Sequence, residues 1–217
     1  MTTSSQHRTA GARQTSTAGA RQSSTAGTPQ SSTAGTPQSS TAGATVWLTG
    51  LPSAGKTTLA GALAEHLRTA GRPVELLDGD AVRPVLSPEL GYSPADRNAN
   101  VARIGWVASR LASHGVLVLA SVVSPFAAAR DGVRAEHERA GVRFLEVHVA
   151  TPVEVCATRD VKGLYARQRA GGLANLTGID GEYEPPSRPE LRLDTAGRSV
   201  AATVGELISL LAKENLL

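Results

Sequence analysis

One cysteine in 217 residues rules out an internal disulfide. Cys156 stands in no metal-ligand spacing, which makes a small buried apolar side chain its first reading. Aromatic residues supply only 3% of the chain, against 41% hydrophobic overall, so the core has to be built from Val, Leu, Ala and Ile. No apolar run approaches the ~20 residues of a membrane-spanning helix. No hydrophobic region of a secretory signal is visible either. A cytoplasmic protein with no membrane partner is expected. Acidic residues are missing from positions 1–43, which hold Arg8, Arg13 and Arg21, whereas the rest of the chain balances 19 basic against 19 acidic side chains. The formal excess of +3 therefore sits in the first 43 residues, and the remainder offers no electrostatic footprint for a nucleic acid.

Those first 43 residues repeat. Thr-Ala-Gly recurs at Thr9, Thr17, Thr25, Thr33 and Thr41, in units such as TAGTPQSS. The units hold nothing larger than Ala to bury, too little to offset the entropy of ordering, and a disordered low-complexity tail is expected over 1–43. An organelle transit peptide competes with that reading, because the segment is rich in Ser, carries Arg and lacks acids. A single folded domain is expected over 44–217.

Within it, Val46, Trp47 and Leu48 read as a short buried strand that ends at Gly50. The next residues, Gly50, Leu51, Pro52, Ser53, Ala54, Gly55, Lys56 and Thr57, fit the spacing G-x-x-x-x-G-K-[ST] at every position. Thr58 opens a helical apolar pattern through Leu59, Ala62, Leu63 and Leu67. A glycine loop between strand and helix turns its N–H groups and the helix N-terminus toward a polyphosphate. Lys56 adds a point charge for the β- and γ-phosphates, and the Thr57 hydroxyl is placed for Mg²⁺. The chain is expected to bind a nucleoside triphosphate, ATP with Mg²⁺, through Gly50 to Thr58.

Beyond this loop, strands and helices alternate. Strands are expected at 73–77, 116–123, 143–149 and 191–193. Helices are expected at 94–114, with Ser93 as N-cap, at 125–140, after the Thr151-Pro152 pair, and at 199–211. Such alternation means an α/β fold with a five-stranded parallel sheet covered by helices on both faces. Ligands in these sheets bind at the carboxyl ends of the strands. Candidate chemistry then falls on the glycine loop, Asp78-Gly79-Asp80, Ser124 and an aperiodic segment, 160–189, that has the composition of a mobile lid. Asp80 could orient an acceptor hydroxyl, take its proton or hold a water of the Mg²⁺ shell; it could also cap the following helix. Arg83, Arg97 and Asn100 form a second group, with Arg97 and Asn100 on one helix face. Two guanidiniums and an amide suit an acceptor bearing a phosphate or sulfate, or else they are a solvated surface. Among 16 Arg in this region the chain keeps only Lys56, Lys162 and Lys213, and two of these three stand in the glycine loop and the lid.

Six stretches occur in order: GLPSAGKTT, LDGDAVR, LGYSPADRNAN, SVVSPFAAAR, RDVKGLYARQRAGG and LTGIDGEYEPP. With them the chain from about Ala44 onward resembles the adenylyl-sulfate kinase (APS kinase) family. The resemblance implies a P-loop kinase that phosphorylates the ribose 3′-hydroxyl of adenosine 5′-phosphosulfate with ATP, in sulfate assimilation. It also implies a homodimer. By position, Asp80, Arg83, Arg97, Asn100, Val123, Ser124, Asn175 and Leu176 would contact the acceptor, Tyr92 would stack on its adenine, and Lys162 would bridge phosphates. Asp80, Lys56 and Ser124 would be the catalytic group, and Thr57 with Asp80 the metal side. Leu176 stands where the family commonly has Phe, so it would form an aliphatic second wall of the adenine site. Another small-metabolite kinase, or a catalytically weak nucleotide-binding module, is the alternative.

Overall fold

A computed structural model describes residues 42–217. The expectations for positions 1–41 lie outside the described residues. The elements follow the order β1 (Ala44–Thr49), α1 (Lys56–Thr69), β2 (Val74–Asp78), α2 (Gly79–Leu86), α3 (Pro94–Ser113) and β3 (Leu117–Ser121). Then come α4 (Ala127–Arg139), β4 (Arg143–Val149), α5 (Val153–Arg159), α6 (Leu164–Arg169), β5 (Leu191–Leu193) and α7 (Val200–Lys213). No helix among the described residues is long and apolar enough to cross a membrane.

All five strands are parallel, in the order β2-β3-β1-β4-β5. The period-two alternation of strand side chains sorts the core into two clusters. Val46, Leu48, Leu117, Leu119, Leu145 and Val147 pack on the side of α1 and α7. Trp47, Val118, Ala120 and Phe144 pack on the side of α3 and α4. β1 is buried along its whole length, as a central strand covered on both faces must be. With few aromatics, close approach replaces bulk: a Cβ on Gly105 of α3 would lie 2.5 Å from the Val133 side chain on α4. Trp47 is sealed in the centre, and its indole N–H donates to Ser124 Oγ at 3.0 Å.

Ser93 caps α3 as expected, in a reciprocal box with Asp96. Three local expectations are corrected. Thr151 does not cap α5; Pro152 occupies that position, and the Thr151 hydroxyl instead donates to Ala54 O at 3.0 Å and pairs with Thr195 Oγ1 at 2.7 Å. Asp80 does not cap α2; Asp78 does, accepting from the N–H groups of Asp80 and Ala81. The segment 160–189 is not without structure. Asp160 accepts from the N–H groups of Tyr165 and Ala166 and starts α6. The buried Tyr165 then fixes that helix through its hydroxyl to Pro52 O at 3.0 Å.

Candidate active site

At the carboxyl ends of β1, β2 and β3 two cavities open side by side. The larger, about 490 Å³, runs from the glycine loop to Thr195, Arg198 and Val200, under Arg159 and Lys162. The smaller, about 90 Å³, is lined by Arg83, Tyr92, Arg97, Asn100, Ser124 and their neighbours. Gly79, Asp80 and Val123 line both.

The larger cavity is built on the glycine loop. Gly50 has φ of 145°, and a Cβ there would stand 2.4 Å from Val149 O, so no other residue fits. α1 begins at Lys56 with no side-chain cap and no acid in its first turn. Its free N–H groups and dipole therefore face the cavity, as an anion site requires. Lys56 is 8% exposed, and its ammonium donates to the carbonyls of Gly50 at 2.9 Å and Leu51 at 2.8 Å. Burial pushes it down to about 8, with Cys156, Asp80 and Asp78 opposing the fall and Lys162 adding to it.

Thr57 donates to Asp78 Oδ2 at 2.5 Å, and Ser121 donates to the same oxygen at 2.8 Å. Burial works against the Asp78 carboxylate, but these two hydroxyls and the N–H groups of Asp80 and Ala81 outweigh it and hold its pKa low. The expected pair on the metal side was Thr57 with Asp80; the structure joins Thr57 to Asp78. The three oxygens of Thr57, Asp78 and Ser121 are hard donors of the kind Mg²⁺ takes alongside phosphates and water. Asp80 is ion-paired with Lys162, which reaches across from the segment before α6.

The smaller cavity gathers residues from four stretches of chain. Arg83 lies over the Tyr92 ring at 4.5 Å and Arg97 at 5.7 Å. Among the described residues neither guanidinium has a carboxylate partner. Burial lowers the Arg97 pKa, and the charge of Arg83 beside it lowers it further. Arg97 spends its donors on carbonyl and hydroxyl oxygens of Tyr92, Asn175 and Thr177. Asn100 is 6% exposed, and its Oδ1 has no hydrogen-bond partner among the described residues. A buried polar atom without a partner is costly, unless a ligand supplies one. Ser124 is buried with φ of 40°, and its hydroxyl accepts from Trp47 and donates to Thr49 Oγ1 at 3.0 Å. That makes it part of the cavity wall.

Thus Asp80, Arg83, Tyr92, Arg97, Asn100, Val123 and Ser124 all line the smaller cavity. Leu176 does not. It is 5% exposed and packed in the core cluster of the α1 side, off the lining of both cavities. The cause is local: Asp180 accepts from the N–H groups of Asn175 and Leu176, closing a tight turn that directs the leucine inward. Asn175, with φ of 59°, meets the site only through its carbonyl, which accepts from Arg97 at 3.0 Å. Sequence reasoning missed Arg159, Thr195 and Arg198 in the larger cavity. Arg159 donates to Thr195 Oγ1 at 2.7 Å and to Thr195 O at 2.9 Å, which fixes the far wall. The available signal was their place after β4 and β5, on the same sheet edge as the glycine loop.

The family model for adenylylsulphate kinase matches residues 42–194. The chain is 53% identical over 160 residues to the adenylyl-sulfate kinase of Synechococcus sp. (strain JA-3-3Ab), spanning 74% of this chain and 89% of that protein. It is 51% identical over 168 residues to the adenylyl-sulfate kinase of Chloroflexus aurantiacus (strain ATCC 29364 / DSM 637 / Y-400-fl), spanning 77% and 88%. Among solved structures it is similar to the Mycobacterium tuberculosis APS kinase in complex with AMPPNP and APS. That match has 44% identity and a TM-score of 0.76, and covers 78% of this chain and 98% of the other.

Proposed function

The chain belongs to the adenylylsulphate kinase family, and from that membership we propose the reaction and the residues that carry it. The terminal phosphoryl group of ATP is transferred to the 3′-hydroxyl of adenosine 5′-phosphosulfate, giving the 3′-phosphorylated product and ADP, as a step of sulfate assimilation. The observation that carries this reading is the junction of two cavities at Asp80. ATP takes the larger cavity, with its phosphates on the glycine loop and the N-terminus of α1 and its nucleoside toward Thr195, Arg198 and Val200. The acceptor takes the smaller, with its anionic group between Arg83 and Arg97, an edge of its base or ribose on the unpaired Asn100 oxygen, and its ring on Tyr92. The 3′-hydroxyl then lies at Asp80, between the two.

Phosphoryl transfer demands alignment and charge neutralisation more than covalent help. The acceptor oxygen attacks the γ-phosphorus, the bond to the β-bridging oxygen breaks, and the acceptor proton passes to the Asp80 carboxylate. Lys162 leaves Asp80 for the phosphates as they arrive, which frees that carboxylate for the hydroxyl. Lys56 makes the matching exchange, from the carbonyls of Gly50 and Leu51 to the phosphates. Thr57 and Asp78 would hold Mg²⁺, which neutralises phosphate charge when bound. Ser124 shapes the acceptor wall with its buried hydroxyl held by Trp47 and Thr49, and direct in-line transfer needs no phosphoserine. A homodimer belongs to the same proposal, and sedimentation of the full chain tests it. ADP release, measured with ATP and a panel of acceptors, tests the reaction. Stimulation by adenosine 5′-phosphosulfate above every other nucleotide is expected, and the absence of that stimulation would remove the proposal.

A further inference from the structure

Away from both sets of ligand contacts lies a buried ion pair whose place in the fold bears on the acceptor cavity. Arg130 on α4 is 2% exposed, and all three of its guanidinium nitrogens are committed. Nε donates to Glu146 Oε1 at 2.7 Å, Nη1 to Ser124 O at 2.7 Å and Nη2 to Glu184 O at 2.7 Å. The three acceptors come from β4, from the turn after β3 and from the chain that leaves the lid. Glu184 returns to the same turn twice: its N–H donates to Pro125 O at 2.8 Å, and its carboxylate accepts from Ala127 N at 2.5 Å at the start of α4.

The turn so held forms one wall of the acceptor cavity, through Val122, Val123, Ser124 and Pro125. It contains a strained residue, since Ser124 takes a left-handed φ of 40° without being glycine. A non-glycine residue in that region is costly and persists only where its surroundings over-determine it. Here the side chain is fixed by Trp47 and Thr49, the preceding carbonyl by Thr49 Oγ1 at 2.7 Å, and its own carbonyl by Arg130. Thr49 Oγ1 also reaches both, bonding Val123 O at 2.7 Å and the Tyr183 hydroxyl at 3.3 Å, but among the described residues Arg130 alone bonds the backbone carbonyls of both this turn and the exit of the lid.

We propose that Arg130 is a positioning residue for the acceptor. Its planar fork fastens the Ser124 turn and the Glu184 segment to one point, and so sets the shape of the acceptor cavity without touching its contents. Glu146 neutralises the guanidinium and keeps it in register, and Glu184 is the second clamp. The geometry calls for a fork. An ammonium keeps the charge pair with Glu146 but, as a single compact centre, does not span two carbonyls on diverging segments. The inference rests on the proposed reaction, because it assigns the smaller cavity to the acceptor.

Steady-state kinetics of the full chain with ATP and adenosine 5′-phosphosulfate test it, on Arg130→Lys, Glu184→Ala and the control Arg134→Lys. Arg134 binds Glu190 and the Phe144 carbonyl and shares Glu146 with Arg130 at 3.6 Å, but among the described residues it has no bond to the turn, so it perturbs the ion pair without the clamp. For Arg130→Lys, KM for the acceptor should rise about tenfold with KM for ATP within about twofold, the pattern of one cavity losing its shape. Glu184→Ala should move the acceptor KM in the same direction by about threefold, and it keeps the test open if Arg130→Lys does not fold. Arg134→Lys should leave both constants unchanged. Equal movement of both KM values, or a fall in melting temperature with both KM values intact, would reduce Arg130 to a structural ion pair and overturn the inference. Failure of the wild-type chain to use the acceptor at all would instead remove the underlying reaction.

Discussion

The two cavities share the wall of Gly79, Asp80 and Val123, yet they are held in different ways. On the donor side the chain satisfies itself. Lys56 donates to two carbonyls of its own loop, Thr57 and Ser121 to Asp78, and Arg159 to Thr195. On the acceptor side it does so only in part, through backbone and hydroxyl oxygens that take the Arg83 and Arg97 donors. Among the described residues the Asn100 oxygen is buried unpaired and Arg83 and Arg97 stand together with no carboxylate, while Tyr92 is 67% exposed. One cavity is set by the fold, and the other is left for its ligand to complete. Lesions on the donor side should therefore act on turnover, and lesions on the acceptor side on acceptor affinity, without a penalty in stability.

The largest effect that would sharpen this contrast is Lys56→Ala. Removing one charge from the group that holds a transferring phosphoryl should lower kcat by at least about a hundredfold. The melting temperature should hold, because the lost ammonium is one that burial already disfavours. An unchanged kcat would show that the loop does not hold the donor.

A second test needs no mutation. In the empty site burial lowers Lys56 to about 8, and a bound polyphosphate favours the charged form and raises it again. Below pH 8 the group is protonated both free and bound and contributes no pH dependence. Above it, ATP has to bind with uptake of a proton, and its affinity should fall by about tenfold per pH unit until the pKa of the complex is reached. Calorimetry in buffers of different ionisation enthalpy reads that proton directly. Flat affinity from pH 7 to about 9.5 would break the assignment. The acceptor cavity holds no such group, so the affinity for the acceptor should not follow the same curve.

Asn100→Leu sets stability against function on the other side of Asp80. The variant removes a buried oxygen that has no partner among the described residues, so the melting temperature should stay or rise. The acceptor loses one hydrogen bond, and its KM should rise about tenfold while KM for ATP stays constant. A fall in melting temperature would mean that Asn100 is a structural amide and that the contrast between the cavities is false.

The same contrast explains what was legible in the sequence. The sheet was readable because its strands are short Val-, Leu- and Phe-bearing runs set between turn and helix signals, and 143–149 and 191–193 were placed to the residue. The donor loop was readable because its function resides in backbone geometry, which fixes glycine at set intervals. Asp78 and Asp80 were harder. Two carboxylates two residues apart look alike in sequence, and only the turn into α2 decides that the first caps the helix and meets Thr57. Thr151 carried a misleading cap signature, since a hydroxyl before Pro serves equally to brace a neighbouring loop. Arg130, Glu146 and Glu184 were invisible as a group because their bonds span 16 to 54 residues and leave no periodic trace.

Leu176 is where the smallest kinetic effect is expected. By family position it would be the second wall of the adenine site, and Leu176→Phe would then lower the acceptor KM by restoring a ring. Its burial in the core among the α1-side residues reverses that expectation. A larger side chain there overpacks, at a cost of roughly 1–3 kcal/mol, which for a domain of this size means a fall of several degrees in melting temperature. The acceptor KM should not move. Tyr92→Ala is the paired measurement. Tyr92 is exposed at the mouth of the smaller cavity, and losing its stacking of about 1 kcal/mol should raise the acceptor KM about fivefold. If Leu176→Phe keeps its melting temperature and lowers the acceptor KM, residue 176 must leave the core when the acceptor binds. The acceptor cavity would then be completed by the chain as well as by the ligand. If only Tyr92→Ala responds, the acceptor stacks on one ring, and the difference between a finished donor site and an open acceptor site stands.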